Sequence, residues 1–143
     1  MNDSTEFQAG SAGGRALPIE RLKLLAIDDD PTMLQLIVNT LEGVAGQVYH
    51  SSEPREGLRL ALTYKPHLIV LDCEMPHVHG LELLKELRSM PQTEKMPVLM
   101  LTADNSSTTV ITALQKGAGG YLLKPFKPLE LRERVLKLLG LNP

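Results

Sequence analysis

Leu68-Ile69-Val70-Leu71-Asp72-Cys73-Glu74-Met75-Pro76 is the stretch on which the reading of this chain turns. Four apolar residues in a row suit a strand covered on both faces, because a half-exposed strand would alternate apolar and polar residues. Asp72 closes the run, and a loop containing proline follows. An acid so placed stands on the rim of a sheet, held by the scaffold and reachable by solvent. Three other apolar runs end in polar residues: Lys23–Ile27 before Asp28-Asp29-Asp30, Val98–Leu101 before Thr102, and Gly120–Leu123 before Lys124.

Stretches of helical period lie between these runs. Asp30 is placed to cap a first helix, with Pro31 at its first position and Leu34, Ile37, Val38 and Leu41 on one face. This helix extends to about Glu42, and Gly43 and Gly46 end it. A short second strand, Gln47 to His50, precedes a helix started by Ser52 and Pro54, with Leu58, Ala61 and Leu62 on one face. Gly57 inside it reads as a weak helix position, and Lys65-Pro66 breaks it. A third helix, about 81 to 89, carries Leu83, Leu84 and Leu87. A fourth, capped by Ser106 or Ser107, carries Val110, Ile111 and Leu114 and stops at Gly117. Pro128 opens a fifth, with Leu131, Val135 and Leu138 inward.

Five strands alternating with five helices predict an α/β fold, a doubly wound, flavodoxin-like parallel sheet with strand order 2-1-3-4-5. Ligands of such sheets bind beyond the carboxyl ends of the strands, where the strand order switches, here between strands one and three. Polar residues end strands one, three, four and five but not the second, the pattern expected if strand two is an edge.

The 143 residues suffice for one domain with a substantial core. Residues 1–20 lack periodicity and contain Gly10-Ser11-Ala12-Gly13-Gly14, which predicts a flexible arm ahead of a domain over 21–143. A net charge of −2 and the absence of tryptophan give no electrostatic or stacking case for direct nucleic-acid binding. The single cysteine, Cys73, excludes an internal disulfide framework and suits a reducing compartment. No run approaches the roughly 20 apolar residues of a membrane helix. No signal peptide opens the chain either, so a cytoplasmic location away from membranes is expected.

Ile27-Asp28-Asp29-Asp30-Pro31, Leu71-Asp72 with Met75-Pro76 and Gly80, Leu101-Thr102-Ala103, and Gly119-Gly120-Tyr121 with Lys124-Pro125-Phe126 occur in that order. From about Leu22 to Leu139 the chain thereby resembles the receiver domain of two-component response regulators, with a chemotaxis-regulator-like fold. The resemblance implies that Asp72 is a nucleophile that becomes an aspartyl phosphate. The donor would be a phosphohistidine on a histidine kinase or histidine phosphotransfer protein, or a small acyl phosphate. It also implies Mg²⁺ (or Mn²⁺), with Asp29 and Asp72 as direct ligands, Asp28 acting through water, and the backbone carbonyl of Glu74 completing the set. The residues themselves agree with a cation, since converging carboxylates repel one another and hard oxygen donors suit Mg²⁺.

By the same resemblance Lys124 supplies a fixed cation to a phosphoryl oxygen and Thr102 a hydroxyl to another. Tyr121 would swing inward with Thr102, and Lys124-Pro125 would be a cis bond. Glu74 and Asp104, each two residues beyond Asp72 and Thr102, would tune the lifetime of the phosphate. The output would be a changed face of helix four, strand five and helix five, read by a downstream protein or used in a homodimer.

Simpler readings stand beside these. Asp28 to Asp30 form a capping cluster, although one acid suffices for a cap. Taken singly, Thr102 and Tyr121 are ordinary strand residues and Lys124 a surface lysine. His79 stands where the family usually has an acid before Gly80. The His77-x-His79 spacing is compatible with zinc, but exposed loop histidines explain it as well. Glu130, Arg132, Glu133, Arg134 and Lys137 suit intersubunit bridges or a solvated helix face. The competing function is a constitutive protein-interaction module of the same fold that takes no phosphate. On neither reading is the chain a turnover enzyme.

Overall fold

The apolar runs pair as parallel strands. The computed structural model of the chain describes residues 18–76, 78–104 and 106–141. His77 and the arm up to position 17 lie outside these residues. The elements are β1 (Lys23–Ile27), α1 (Pro31–Glu42), β2 (Gln47–Ser51), α2 (Pro54–Tyr64), β3 (Leu68–Asp72), α3 (Gly80–Ser89), β4 (Val98–Thr102), α4 (Ser107–Gln115), β5 (Gly120–Leu123) and α5 (Pro128–Leu138). The sheet order is β2-β1-β3-β4-β5, all parallel, as the alternation of runs and helices predicts. A 3-10 turn, Ile19–Arg21, leads into β1, and the Ile19 carbonyl accepts from the Gly46 N–H at 3.2 Å. The folded unit therefore includes residues just ahead of position 21.

Alternation along each central strand divides the core into two layers. Leu24, Ala26, Leu68, Val70, Leu99 and Leu101 face one layer, which α1 closes with Leu34, Ile37, Val38 and Leu41, and α5 with Leu131, Val135 and Leu136. Leu25, Ile27, Ile69, Leu71, Val98 and Met100 face the other, closed by Leu58 and Ala61 of α2, Leu83, Leu84 and Leu87 of α3, and Ala113 of α4. Every residue of β3 and β4 is buried, which is why these runs are continuous rather than alternating.

Some local expectations are corrected. The serine at the start of α2 is Ser51, not Ser52: its hydroxyl accepts from the Glu53 N–H at 2.9 Å and donates to the Glu53 carbonyl at 3.0 Å. Gly57 is more than a weak helix position, since a Cβ there would lie 2.5 Å from Cδ1 of the buried Ile27. Its missing side chain lets α2 approach β1. In α4 the helix rests on the sheet through the small Ala113, which turns Ile111 (51% exposed) and Leu114 (46% exposed) outward. In α5 it is Leu136 that is buried, with Leu138 half-buried at the edge of the same layer. Ser106 is the residue that caps α4, its hydroxyl accepting from the Thr109 N–H. Gly117 at φ 98° ends that helix, with the Ala118 N–H bonded to the Ala113 carbonyl.

Candidate functional site

Register brings the acids together. The β1/β3 ladder pairs Ile27 with Leu71, so Asp28 and Asp72 follow at the same level on neighbouring strands. Asp72 is also held against β4, opposite Leu101, and the next N–H, of Cys73, donates to the Leu101 carbonyl at 2.7 Å. Asp28 and Asp72 are buried and Asp29 is half-buried. Each offers one carboxylate oxygen, and the three atoms lie within 4.8 Å of one another. Three hard oxygen donors gathered at the ends of adjacent strands fit Mg²⁺ in chemistry. Asp30 is exposed and serves α1 instead, accepting from the Thr32 N–H at 3.0 Å as its N-cap. Its own N–H donates to Asp28 Oδ1 at 2.9 Å, so the cap also steadies the acid beside it.

Lys124 reaches this group from the end of β5. Its backbone N–H donates to the Thr102 carbonyl at 2.8 Å, extending the β4/β5 ladder by one step. Its ammonium donates to Asp28 Oδ2 at 3.1 Å and to Asp72 Oδ1 at 3.0 Å. The bond to Pro125 is cis. Burial pushes the Asp72 carboxyl up to about 7; the bond to Lys124 opposes that rise and the charge of Asp28 adds to it. Burial works against the Lys124 ammonium, but its bond to Asp72 and the two neighbouring carboxylates outweigh it, and its pKa is raised. The thiol of Cys73, buried behind Asp72, is pushed up to about 12 by burial and the nearby acids, so thiolate chemistry is not available at neutral pH.

Thr102 closes the other side. It is buried at the end of β4, and its hydroxyl donates to Glu74 Oε2 at 2.5 Å. The Ala103 N–H donates to Glu74 Oε1 at 3.0 Å. The Glu74 N–H donates in turn to Asp72 Oδ1 at 3.1 Å. Sequence spacing placed Glu74 near the site but gave no sign that its carboxylate would bond Thr102. Asp104 turns the other way: its carboxylate accepts from the Ser106 N–H at 2.8 Å and the Thr109 hydroxyl at 2.6 Å. These bonds hold its carboxyl below the usual carboxylate range. Tyr121, opposite Met100, is half-buried against the second core layer, and Arg134 donates to its backbone carbonyl.

The loop after Asp72 is tied down by two residues. A Cβ on Gly80 would lie 2.1 Å from the Asp72 carbonyl oxygen, so only glycine lets α3 begin this close to β3. His79 caps α3, its Nδ1 accepting from the Leu81 N–H at 3.2 Å. A ring nitrogen thus does the capping that a side-chain oxygen more often does.

Comparison with known proteins agrees with the fold. The model of the response regulator receiver domain family matches residues 24–136. The chain is 35% identical over 125 residues to the chemotaxis protein CheY1 of Helicobacter pylori, covering 85% of this chain and 99% of that one. It is 38% identical over 117 residues to the alkaline phosphatase synthesis transcriptional regulatory protein PhoP of Bacillus subtilis, covering 82% of this chain but 48% of PhoP. The chemotaxis protein CheY4 of Vibrio cholerae superposes with a TM-score of 0.78 at 31% identity, over 82% of this chain and 98% of that one. Shared sequence over most of its length and a shared fold place this chain in the response regulator receiver domain family of two-component signalling.

Proposed function

We propose that the domain is a phospho-accepting switch with Asp72 as the acceptor. One observation carries the reading: Asp72 is buried at the rim of the sheet, 3.0 Å from the Lys124 ammonium and grouped with two further acids. An oxygen of Asp72 bonds to the phosphorus of a phosphohistidine as the phosphorus–nitrogen bond breaks, and the departing imidazole takes up a proton. From acetyl phosphate the leaving group is acetate. The donor protein is a histidine kinase or a histidine phosphotransfer protein.

Asp29, Asp72 and the Glu74 backbone carbonyl would hold Mg²⁺ or Mn²⁺, with Asp28 acting through water. Bound there, the ion lowers the negative potential that otherwise turns away an anionic donor. Lys124 supplies a cation fixed by the sheet to one transferred oxygen. Thr102 supplies a hydroxyl to another, a contact that differs between the two states and so biases the conformation of the β4–α4 region. Tyr121 and the α4–β5–α5 face carry the change outward. Ile111 and Leu114 of α4 and Leu123 of β5 are exposed apolar residues on that face, which supports its use in binding a downstream protein or a second copy. Asp104 acts on the lifetime of the phosphate through the loop it fixes at the start of α4.

The test is intact mass after acetyl phosphate and Mg²⁺. Wild-type protein gains one phosphoryl group, while Asp72→Asn and a chelator control gain none. Equal gain in Asp72→Asn refutes the assignment of the acceptor.

A further inference from the structure

The Glu74 carboxylate already holds the Thr102 hydroxyl that the transferred phosphoryl group would use. Two donors at the end of β4, the Thr102 hydroxyl and the Ala103 N–H, converge on its carboxylate at 2.5 and 3.0 Å. The backbone of Glu74 lies against the acceptor, its N–H bonded to Asp72 Oδ1. The side chain is exposed, so these two bonds rather than packing hold it there. Asp28 and Asp104 are engaged elsewhere, Asp28 with Lys124 and the Asp30 N–H, Asp104 with Ser106 and Thr109.

We infer that the Glu74 side chain is a built-in stand-in for the phosphoryl group, engaging Thr102 and Ala103 in the resting protein and withdrawing when Asp72 is phosphorylated. The inference rests on the reading of Asp72 as acceptor. Charge-assisted bonds of this kind are the stronger class, so displacing them takes work that falls on the transfer step. The same carboxylate also presents negative charge to every anionic donor. Glu74 therefore restrains spontaneous phosphorylation by small acyl phosphates, and it draws Thr102 toward the site before any phosphate arrives.

The test follows phosphorylation of the full chain by acetyl phosphate and Mg²⁺ in wild type, Glu74→Gln and Glu74→Ala. Glu74→Ala is expected to be phosphorylated about fivefold faster than wild type, the factor for one such contact in partly exposed surroundings. Glu74→Gln, which keeps an acceptor oxygen without the charge, falls between. A second readout needs no transfer. In the unphosphorylated protein the Ala103 amide proton shifts and exchanges faster in Glu74→Ala, and Glu74→Gln restores much of its protection. An Ala103 amide indifferent to Glu74→Ala overturns the inference. Phosphate on wild type with no gain in rate for Glu74→Ala overturns it alone. No phosphate on any of the three proteins overturns the acceptor reading and this inference with it.

Discussion

At the scale of the residue, the site is a problem in charge. Asp28 and Asp72 are buried side by side, and the Lys124 ammonium is bonded to both. The Asp72 carboxyl at about 7 lies above its value in an unfolded chain. A raised carboxyl pKa means that the folded state binds more protons, so its stabilising contribution is complete below about pH 4 and is lost as pH rises through about 7. In chelator, the Tm of wild type should therefore fall between about pH 5 and about pH 8 relative to that of Asp72→Asn. Parallel profiles for the two proteins would contradict this. Lys124→Met leaves the two acids buried without their partner, and should cost about 2 kcal/mol or more in metal-free unfolding. The loss should shrink in Mg²⁺, and an unchanged midpoint in chelator would count against the ion pair. The acids and the lysine were legible in the sequence because each ends an apolar run whose register the sheet dictates. The bond from Thr102 to Glu74 was not, because Glu74 lies beyond the strand, where no periodicity fixes the direction of a side chain.

At the scale of the element, boundaries followed from caps and breakers. Asp30-Pro31 starts α1, and Pro54 and Pro128 begin α2 and α5. What periodicity could not give was which apolar residues of a short helix face the sheet. Ala113, the smallest apolar residue of α4, makes the buried contact, whereas Ile111 and Leu114 point outward. Gly57 shows the same limit, because its importance lies in the Ile27 side chain it faces across α2 and β1. Gly57→Ala improves helix propensity by about 1 kcal/mol but overpacks the Ile27 contact by about 1–3 kcal/mol. A net loss of stability in denaturant unfolding is expected. It should be smaller in an Ile27→Val background, where Cδ1 is gone. An equal or larger loss in that background would show that the contact is not the cause.

At the scale of the whole molecule, the sheet and its two core layers fix the acid site, and the least embedded helix lies beside it. α4 is secured at its start by Asp104 and Ser106. It is secured at its end by Arg88, whose guanidinium donates to the Gly117 carbonyl at 2.8 and 3.1 Å. Between these ends Ala113 is its buried side chain among the described residues. Hydrogen exchange should accordingly find α4 less protected than α1, α3 and α5. Protection of α4 equal to theirs would argue against a movable face beside the site. The edge place of β2 was readable from the sequence because the other runs lead into the polar residues of the site and β2 does not. The exposed face of α4, β5 and α5 was not, since exposure depends on which neighbour covers each turn.

The most direct measurement places the phosphate on a residue. Borohydride reduction of the phosphorylated protein converts an aspartyl phosphate to homoserine, which peptide mass then locates. The account predicts homoserine at position 72 and at no other acid. Homoserine at position 28 or 29, or a fully phosphorylated protein with none at 72, would contradict it.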